Sequence, residues 1–137
     1  MSEPVLTEEM EAFLREQQIA AFATGRKDGS PQLSHVVYDY DGHDIVISVK
    51  SYTAKWKNAL RQPRVALLVH EGRKQLVIYG RAEAISEDPE RLELTARVFR
   101  RITGDPSFAP SESFAKTMDE QQRTVLRIVP EKAMIQD

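Results

Sequence analysis

The chain has 137 residues, no cysteine and a formal net charge of −2 at pH 7. This length fits a single domain spanning residues 1–137, with a core that needs no covalent or metal staple. The lack of cysteine excludes disulfides, thiolate metal sites and cysteine nucleophiles, and it is typical of a reducing cytoplasm.

Charge and hydropathy narrow the class of partner. General binding to nucleic acid requires a strongly basic face, which a chain of net charge −2 does not predict. The acidic N-terminus lacks the basic and apolar segments of a signal peptide, and no run approaches the ~20 apolar residues of a membrane span. We therefore expect a cytoplasmic protein that binds neither nucleic acid nor membrane.

Short apolar runs alternate with turn signals along the chain. Asp28-Gly29 and Asp41-Gly42 are typical hairpin turns, and Gln62-Pro63 and Gly104 mark helix ends. In the second predicted helix, Trp56 and Leu60 have the spacing of an inward face. The predicted helices begin at Thr7, Thr53, Asp88 and Ser111, and Asp88 is expected to cap the third of them. The predicted strands are 19–24, 31–40, 44–49, 64–70, 75–85 and 124–129, the last extended by 133–135.

The order of these elements favours one fold class. Tight hairpins join the early strands, and such turns connect antiparallel neighbours only. The sequence therefore predicts a mainly β protein, with a six-stranded antiparallel barrel flanked by three or four helices.

A hydroxyl-rich turn and the basic helix after it suggest an anion site. Ser51 or Thr53 is expected to cap this helix, and Lys55 and Lys57 then lie in its first turn. Lysine is unfavourable there because the helix dipole already makes the potential positive, whereas a bound phosphate would reverse the balance. A solvated helix face explains the same residues equally well.

Other candidate sites are weaker. The histidines His35, His43 and His70 are too far apart in sequence to form one metal motif, and no metal site is predicted. Asp39, Asp41 and Asp44 flank a glycine turn, where aspartate is common for structural reasons. His35 is a secondary candidate for contact with a substrate.

Three segments resemble the flavin and deazaflavin split-barrel superfamily, typified by pyridoxamine 5′-phosphate oxidase. They are the hairpin 23–34, the turn Ser51-x-Thr53-Ala54-Lys55, and Asn58 followed by 63–68. The segment 123–128 also resembles the last barrel strand of that superfamily. Within it, the chain is most similar to the deazaflavin-dependent reductases of the B type.

The resemblance implies a split barrel, a homodimer and two cofactor sites between the protomers. Lys55 matches the lysine that contacts the cofactor phosphate, and Ala54 stands where flavin-using oxidases commonly have arginine. This difference favours the deazaflavin coenzyme F420 over FMN. The cofactor-binding residues implied are Gln32, Ser34, Lys50, Ser51, Thr53, Ala54, Lys55 and Lys57.

The resemblance therefore predicts an F420-dependent oxidoreductase that transfers hydride to a conjugated organic substrate. Two alternatives are an FMN enzyme of the same fold and a carrier of flavin, deazaflavin or haem without catalytic activity. No catalytic residue is predicted, because the cofactor would carry the chemistry.

Overall fold

The computed structural model describes residues 4–137, so Met1, Ser2 and Glu3, the start of the acidic N-terminus, lie outside the described part. Four helices and six strands follow one another along these residues. Their bounds are α1 (Glu8–Glu16), β1 (Ile19–Gly25), β2 (Pro31–Tyr40), β3 (Ile45–Lys50), α2 (Ala54–Arg61), β4 (Arg64–Glu71), β5 (Lys74–Ile85), α3 (Glu90–Thr103), α4 (Glu112–Glu120) and β6 (Arg123–Gln136).

The six strands form a closed antiparallel barrel in the order β1-β2-β3-β6-β5-β4. Hairpins pair β1 with β2, β2 with β3, and β4 with β5, as the turn signals predicted. The barrel closes through β1 against β4 and through β6, which pairs with both β3 and β5. The predicted fold class, a six-stranded antiparallel barrel with helices, is confirmed.

Alternation along the strands separates a core from an outer face. Even-numbered residues of β1 and β2 point inward, and among them Phe22 and Tyr38 are fully buried, whereas the odd-numbered residues point outward. Phe13 of α1 and Trp56 of α2 pack into the same core. Each fully buried side chain of this size contributes about 1.5–3 kcal/mol to folding, which is why the barrel needs no staple.

One buried tyrosine joins the first helix to the barrel. The Tyr38 hydroxyl donates a hydrogen bond of 2.6 Å to the carbonyl of Leu14, the last core residue of α1. Burial raises the pKa of Tyr38 because the phenolate would lose its solvation. The hydroxyl therefore remains a neutral donor and fixes the position of α1.

The other two helices pack on the outside of the barrel. Val98 of α3 contacts Val46 of β3 and Val125 of β6. On its opposite side α3 packs against Phe114 of α4, and Phe108 from the intervening loop joins this cluster at a ring-centroid distance of 5.2 Å from Phe114. The loop 105–110 therefore packs against the two helices that it connects.

Gly80 is required by a close approach between β5 and β6. A Cβ atom on Gly80 would lie 2.6 Å from the carbonyl oxygen of Val129, closer than such contacts allow. The strand register shifts between Tyr79 and Gly80, so the small residue marks a bend.

Two local predictions about helices are wrong. Leu60 is 53% exposed, and the buried side chains of α2 are instead Trp56, Asn58 and Ala59. Asn58 takes an inward position because its amide donates a hydrogen bond of 3.2 Å to the hydroxyl of Thr24. Asp88 does not cap α3, since its carboxylate accepts from the Arg91 guanidinium.

Among residues 4–137, none of the helices combines the length and the apolar composition needed to cross a membrane.

Candidate functional site

A groove of about 450 Å³ lies on the outer face of the barrel, where β3 ends and α2 begins. Its walls come from β1, β2 and β3, from the turn before α2, and from the first residue of β6. The groove is lined by Ile19, His35, Val36, Val37, Ser48, Val49, Lys50, Tyr52, Thr53, Lys55 and Arg123.

Three cations converge on this groove. Lys50 and Arg123 are directly opposite each other across the β3–β6 pair, and Lys55 enters from the first turn of α2. Within residues 4–137, none of the three forms a salt bridge with a carboxylate. Like charges placed opposite on neighbouring strands destabilise a sheet, so this arrangement favours an anion.

The N-terminus of α2 adds hydrogen-bond donors to the groove. No side chain caps this helix, because the Thr53 hydroxyl donates to the carbonyl of Lys50 at 2.7 Å. The predicted side-chain cap is therefore wrong. The first turn also contains no acidic residue, so its free N–H groups and its dipole present positive potential.

Ser48 supplies a further polar group. It points outward from β3 into the groove, and its Oγ atom is buried without a hydrogen-bond partner among the described residues. A buried hydroxyl of this kind is costly unless something satisfies it. A bound molecule with oxygen atoms would provide that partner.

The structure brings together four of the residues that the sequence singled out. Lys50, Thr53 and Lys55 line the groove as a cluster, and His35 lines its other side. Lys57 is exposed on α2 and does not line the groove. Ala54 is exposed at the first position of α2 and lies in the turn without lining the cavity.

The remaining predicted residues face elsewhere. Gln32 and Ser34 are on the inward-facing set of β2, opposite to His35, and the Gln32 amide oxygen accepts a hydrogen bond of 3.0 Å from Thr24. Ser51 lines a separate cavity, and its backbone N–H donates to the carbonyl of Gln122 at 2.8 Å. This cavity shares Arg123 with the groove, but Lys50 and Lys55 do not line it.

The sequence interpretation missed Arg123, Tyr52, Ser48 and Ile19 as groove residues. Tyr52 and Ser48 flank the predicted turn, so their closeness to it in sequence was an available signal. Arg123 is far from Lys50 along the chain, and only the pairing of β3 with β6 brings the two together.

A buried arginine supports the groove from behind. The side chain of Arg91 is 9% exposed, and its guanidinium donates to Asp88, to Asp119 and, at 2.8 Å, to the carbonyl of Arg123. The hydrogen bonds to Asp88 raise the pKa of Arg91, burial opposes them, and Asp119 adds to the rise. Arg91 therefore stays charged and fixes the start of β6.

Comparison with known proteins identifies the family. The family model described as pyridoxamine 5′-phosphate oxidase matches residues 6–137. Among solved structures, a conserved hypothetical protein from Mycobacterium tuberculosis is 23% identical, with a TM-score of 0.78, over 100% of this chain and 88% of that one. A protein described as an F420 reductase is 23% identical, with a TM-score of 0.73, over 94% and 98% of the two chains.

A third similar structure has a different described role. The heme storage protein HutZ from Vibrio cholerae is 18% identical, with a TM-score of 0.71, over 96% of this chain and 95% of that one. These structural likenesses establish a shared fold. Because the family model covers nearly the whole sequence, the chain belongs to the pyridoxamine 5′-phosphate oxidase family.

Proposed function

We propose that this protein is an oxidoreductase that binds coenzyme F420 and uses the reduced cofactor to transfer hydride to a small conjugated organic substrate. The observation that carries the proposal is the cluster of Lys50, Lys55 and Arg123, which has no carboxylate partner in residues 4–137. A cofactor phosphate is the anion that this cluster would neutralise.

Each residue of the cluster has a distinct part in holding the phosphate. Arg123 offers a planar set of donors that matches a phosphate, and Lys50 and Lys55 add compact charge. Thr53 organises the turn through its bond to the Lys50 carbonyl, which leaves the N–H groups of α2 free for the phosphate oxygens. Ser48 lies in the same groove with an unsatisfied hydroxyl.

The other residues that the resemblance implied have less direct roles in this proposal. Lys57 contributes positive field from the exposed face of α2, and Ala54 adds no charge at the first position of that helix. Ser51 anchors the turn through its backbone to Gln122, the residue before β6. Gln32 ties β2 to β1 through Thr24 and thereby supports the strand that carries His35, whereas the Ser34 hydroxyl is buried without a hydrogen-bond partner among the described residues.

Two observations favour the deazaflavin over FMN. The residue before Lys55 is Ala54, where flavin-using members of the superfamily commonly have arginine. The similar structure described as an F420 reductase covers nearly the whole of both chains. When bound, the reduced deazaflavin supplies the hydride, so the protein has to bind, orient and shield rather than provide an acid–base pair.

We infer that the protein forms a homodimer through the outer face beside the groove. Leu33, Ala23, Ala66 and Tyr79 form one row across four adjacent strands, and all four point outward. Leu33 is 68% exposed and Tyr79 is 45% exposed. An outward-facing apolar row of this kind, with half-buried Ala23 and Ala66 between two exposed ends, is typical of an interface, and a second copy of the chain would cover it.

A carrier function is the second candidate. It is favoured by the likeness to HutZ, which is described as a heme storage protein. In that case the groove would hold an anionic cofactor without turnover, since the propionates of haem are anions as well.

Titration of the purified protein with F420, FMN and haemin separates these candidates. We expect the tightest binding for F420, followed by oxidation of the reduced cofactor when a conjugated enone is added. Tighter binding of FMN than of F420 would identify the flavin as the cofactor. Tight binding of haemin without turnover of the enone would favour the carrier function.

A further inference from the structure

A second cavity of about 500 Å³ lies next to the cationic groove. The two share Ile19 and His35, so these side chains form the ridge between them. The second cavity is lined by Glu16, Gln17, Gln18, Ile19, Ala20, Ala21, His35, Leu68 and His70. It contains no lysine or arginine, so its chemistry differs from that of the groove.

The floor of this cavity is apolar. Ala21 lies between His35 of β2 and Leu68 of β4 in the strand register, and all three point outward. Together with Ile19, which is 57% exposed, Ala21 and Leu68 form an aliphatic surface that an apolar molecule could cover.

The polar residues that line the cavity are Glu16, Gln17, Gln18, His35 and His70, and the two histidines are the ones with free nitrogen donors, since the Glu16 carboxylate can only accept. His35 and His70 are exposed, and neither imidazole makes a hydrogen bond or an ion pair with any described residue from 4 to 137. By contrast, the Gln17 amide donates to Glu71 at 3.1 Å, and the Gln18 amide donates to the carbonyl of Arg101 at 3.3 Å. The imidazoles are therefore the donors left for a ligand.

The third histidine provides an internal comparison. His43 lies in the turn between β2 and β3 and lines a different cavity, together with Tyr40 and Glu11. It is exposed like His35 and His70, but it does not border either the groove or the second cavity.

We propose that the cavity of His35 and His70 is the substrate subsite. Its ligand would be a compact conjugated ketone, with an apolar body on Ala21 and Leu68 and a carbonyl oxygen that accepts a hydrogen bond from an imidazole. This inference rests on the proposed function, because it is the adjoining groove that would place the cofactor beside the substrate. His70 lines only the second cavity, whereas His35 lines both the second cavity and the cationic groove.

Histidine NMR tests the subsite without relying on turnover. The chain has three histidines, so the imidazole Cε1–H resonances can be assigned with the variants His35→Gln, His43→Gln and His70→Gln. Addition of oxidised F420 should shift the His35 resonance and leave His70 in place. Subsequent addition of 4-phenylbut-3-en-2-one should shift both His35 and His70, while His43 stays unchanged.

Two variants test the contact between the ketone and this cavity through the dissociation constant of the ketone. Ala21→Leu should fill the apolar floor of the cavity, and His70→Ala should remove a hydrogen-bond donor. Each variant should raise the dissociation constant for 4-phenylbut-3-en-2-one, and for His70→Ala the increase should be roughly twofold to tenfold. Both variants should keep the F420 affinity of the parent protein within twofold. His43→Ala is the matched control and should change neither affinity.

The outcomes separate the subsite from the cofactor assignment. A His70 resonance that does not move at saturating ketone, with unchanged ketone affinity in Ala21→Leu, would overturn the subsite. A protein that fails to bind F420 would contradict the proposed function instead, and the ketone-induced shift of His70 would still decide where the ketone binds.

Discussion

Lys50 and Arg123 are directly opposite each other on β3 and β6, although they are separated by most of the chain. Their side chains share one groove with Lys55 and have no carboxylate partner among residues 4–137. A cross-strand pair of like charges costs up to about 1 kcal/mol compared with a neutral pair. The protein therefore carries a local electrostatic cost that binding of an anion would relieve.

Binding of inorganic phosphate should relieve this repulsion and thereby raise the melting temperature of the protein. We expect phosphate to raise the melting temperature of the parent protein, because it binds the native groove and not the unfolded chain. Arg123→Gln should have an equal or slightly higher melting temperature without phosphate and a smaller shift with it. Sulfate at matched ionic strength should act like phosphate, and chloride should not. A variant that keeps the full phosphate shift would show that Arg123 does not contact the anion.

Removal of the buried arginine behind the groove should affect both stability and binding. Arg91→Met leaves the Arg123 carbonyl and two carboxylates without their donor, so we expect a loss of about 1–3 kcal/mol in the free energy of unfolding. Binding of F420 should also weaken, because the start of β6 is no longer fixed. Arg91→Lys should rescue little, since lysine lacks the planar fork.

A second arginine of α3 provides the control for this effect. Arg100 donates to the carbonyl of Phe108 at 2.7 Å, in the loop before α4 and not at the groove. Arg100→Met should therefore lower the free energy of unfolding and leave F420 affinity unchanged. Equal losses of F420 affinity in the two variants would show that Arg91 acts only through general stability.

The strand alternation and the turns could be predicted from the sequence, because both depend on neighbouring residues. At Asp28-Gly29, for example, the Asp28 carboxylate accepts from the backbone N–H of Ser30 at 2.9 Å, and Gly29 has a φ of 87°. The pairing of Lys50 with Arg123 could not be predicted in this way, since it depends on which distant strand closes the barrel.

The direction of side chains within the site also could not be predicted from neighbouring residues alone. Lys55 was found from its place in a basic turn, which is a local feature, and it lines the groove. Gln32 and Ser34 were selected from the strand that the resemblance implied, but the strand turns them inward and His35 outward. Leu60 had the correct helical spacing for burial, yet the inward position is occupied by Asn58, which binds Thr24.

Acidification should weaken the turn between β2 and β3. Partial burial acts to raise the pKa of Asp41, but the hydrogen bonds from the N–H groups of Asp44 and His43, together with the charge of Arg97, hold that pKa below its usual value. The stabilisation is therefore complete above the unfolded pKa of about 3.9 and is lost as the pH falls through the lower folded value.

Urea unfolding of the parent protein and Asp41→Asn between pH 5 and pH 2 measures this contribution. The parent protein should be more stable than the variant at pH 5, and the difference should shrink as the pH falls. A difference that stays constant over this range would show that the Asp41 charge does not contribute to the stability of the turn.

The exposed apolar row predicts a specific effect on assembly. Leu33→Glu places a charge at the most exposed position of the row that also contains Ala23, Ala66 and Tyr79, so a dimer should become a monomer in analytical ultracentrifugation. Ile102→Glu changes an exposed apolar residue of α3 away from the row and should leave the dimer intact. A monomeric parent protein at micromolar concentration would contradict the proposed interface.

The affinity for F420 in single-charge variants tests the central claim most directly. Lys55→Ala and Arg123→Ala should each raise the dissociation constant roughly tenfold to a hundredfold, because each removes a charge-assisted contact of about 1.5–3 kcal/mol with the phosphate. The exposed Lys116→Ala of α4 removes the same charge away from the groove and should change the affinity less than twofold. Unchanged F420 affinity in both groove variants would contradict the assignment of this groove as the phosphate site.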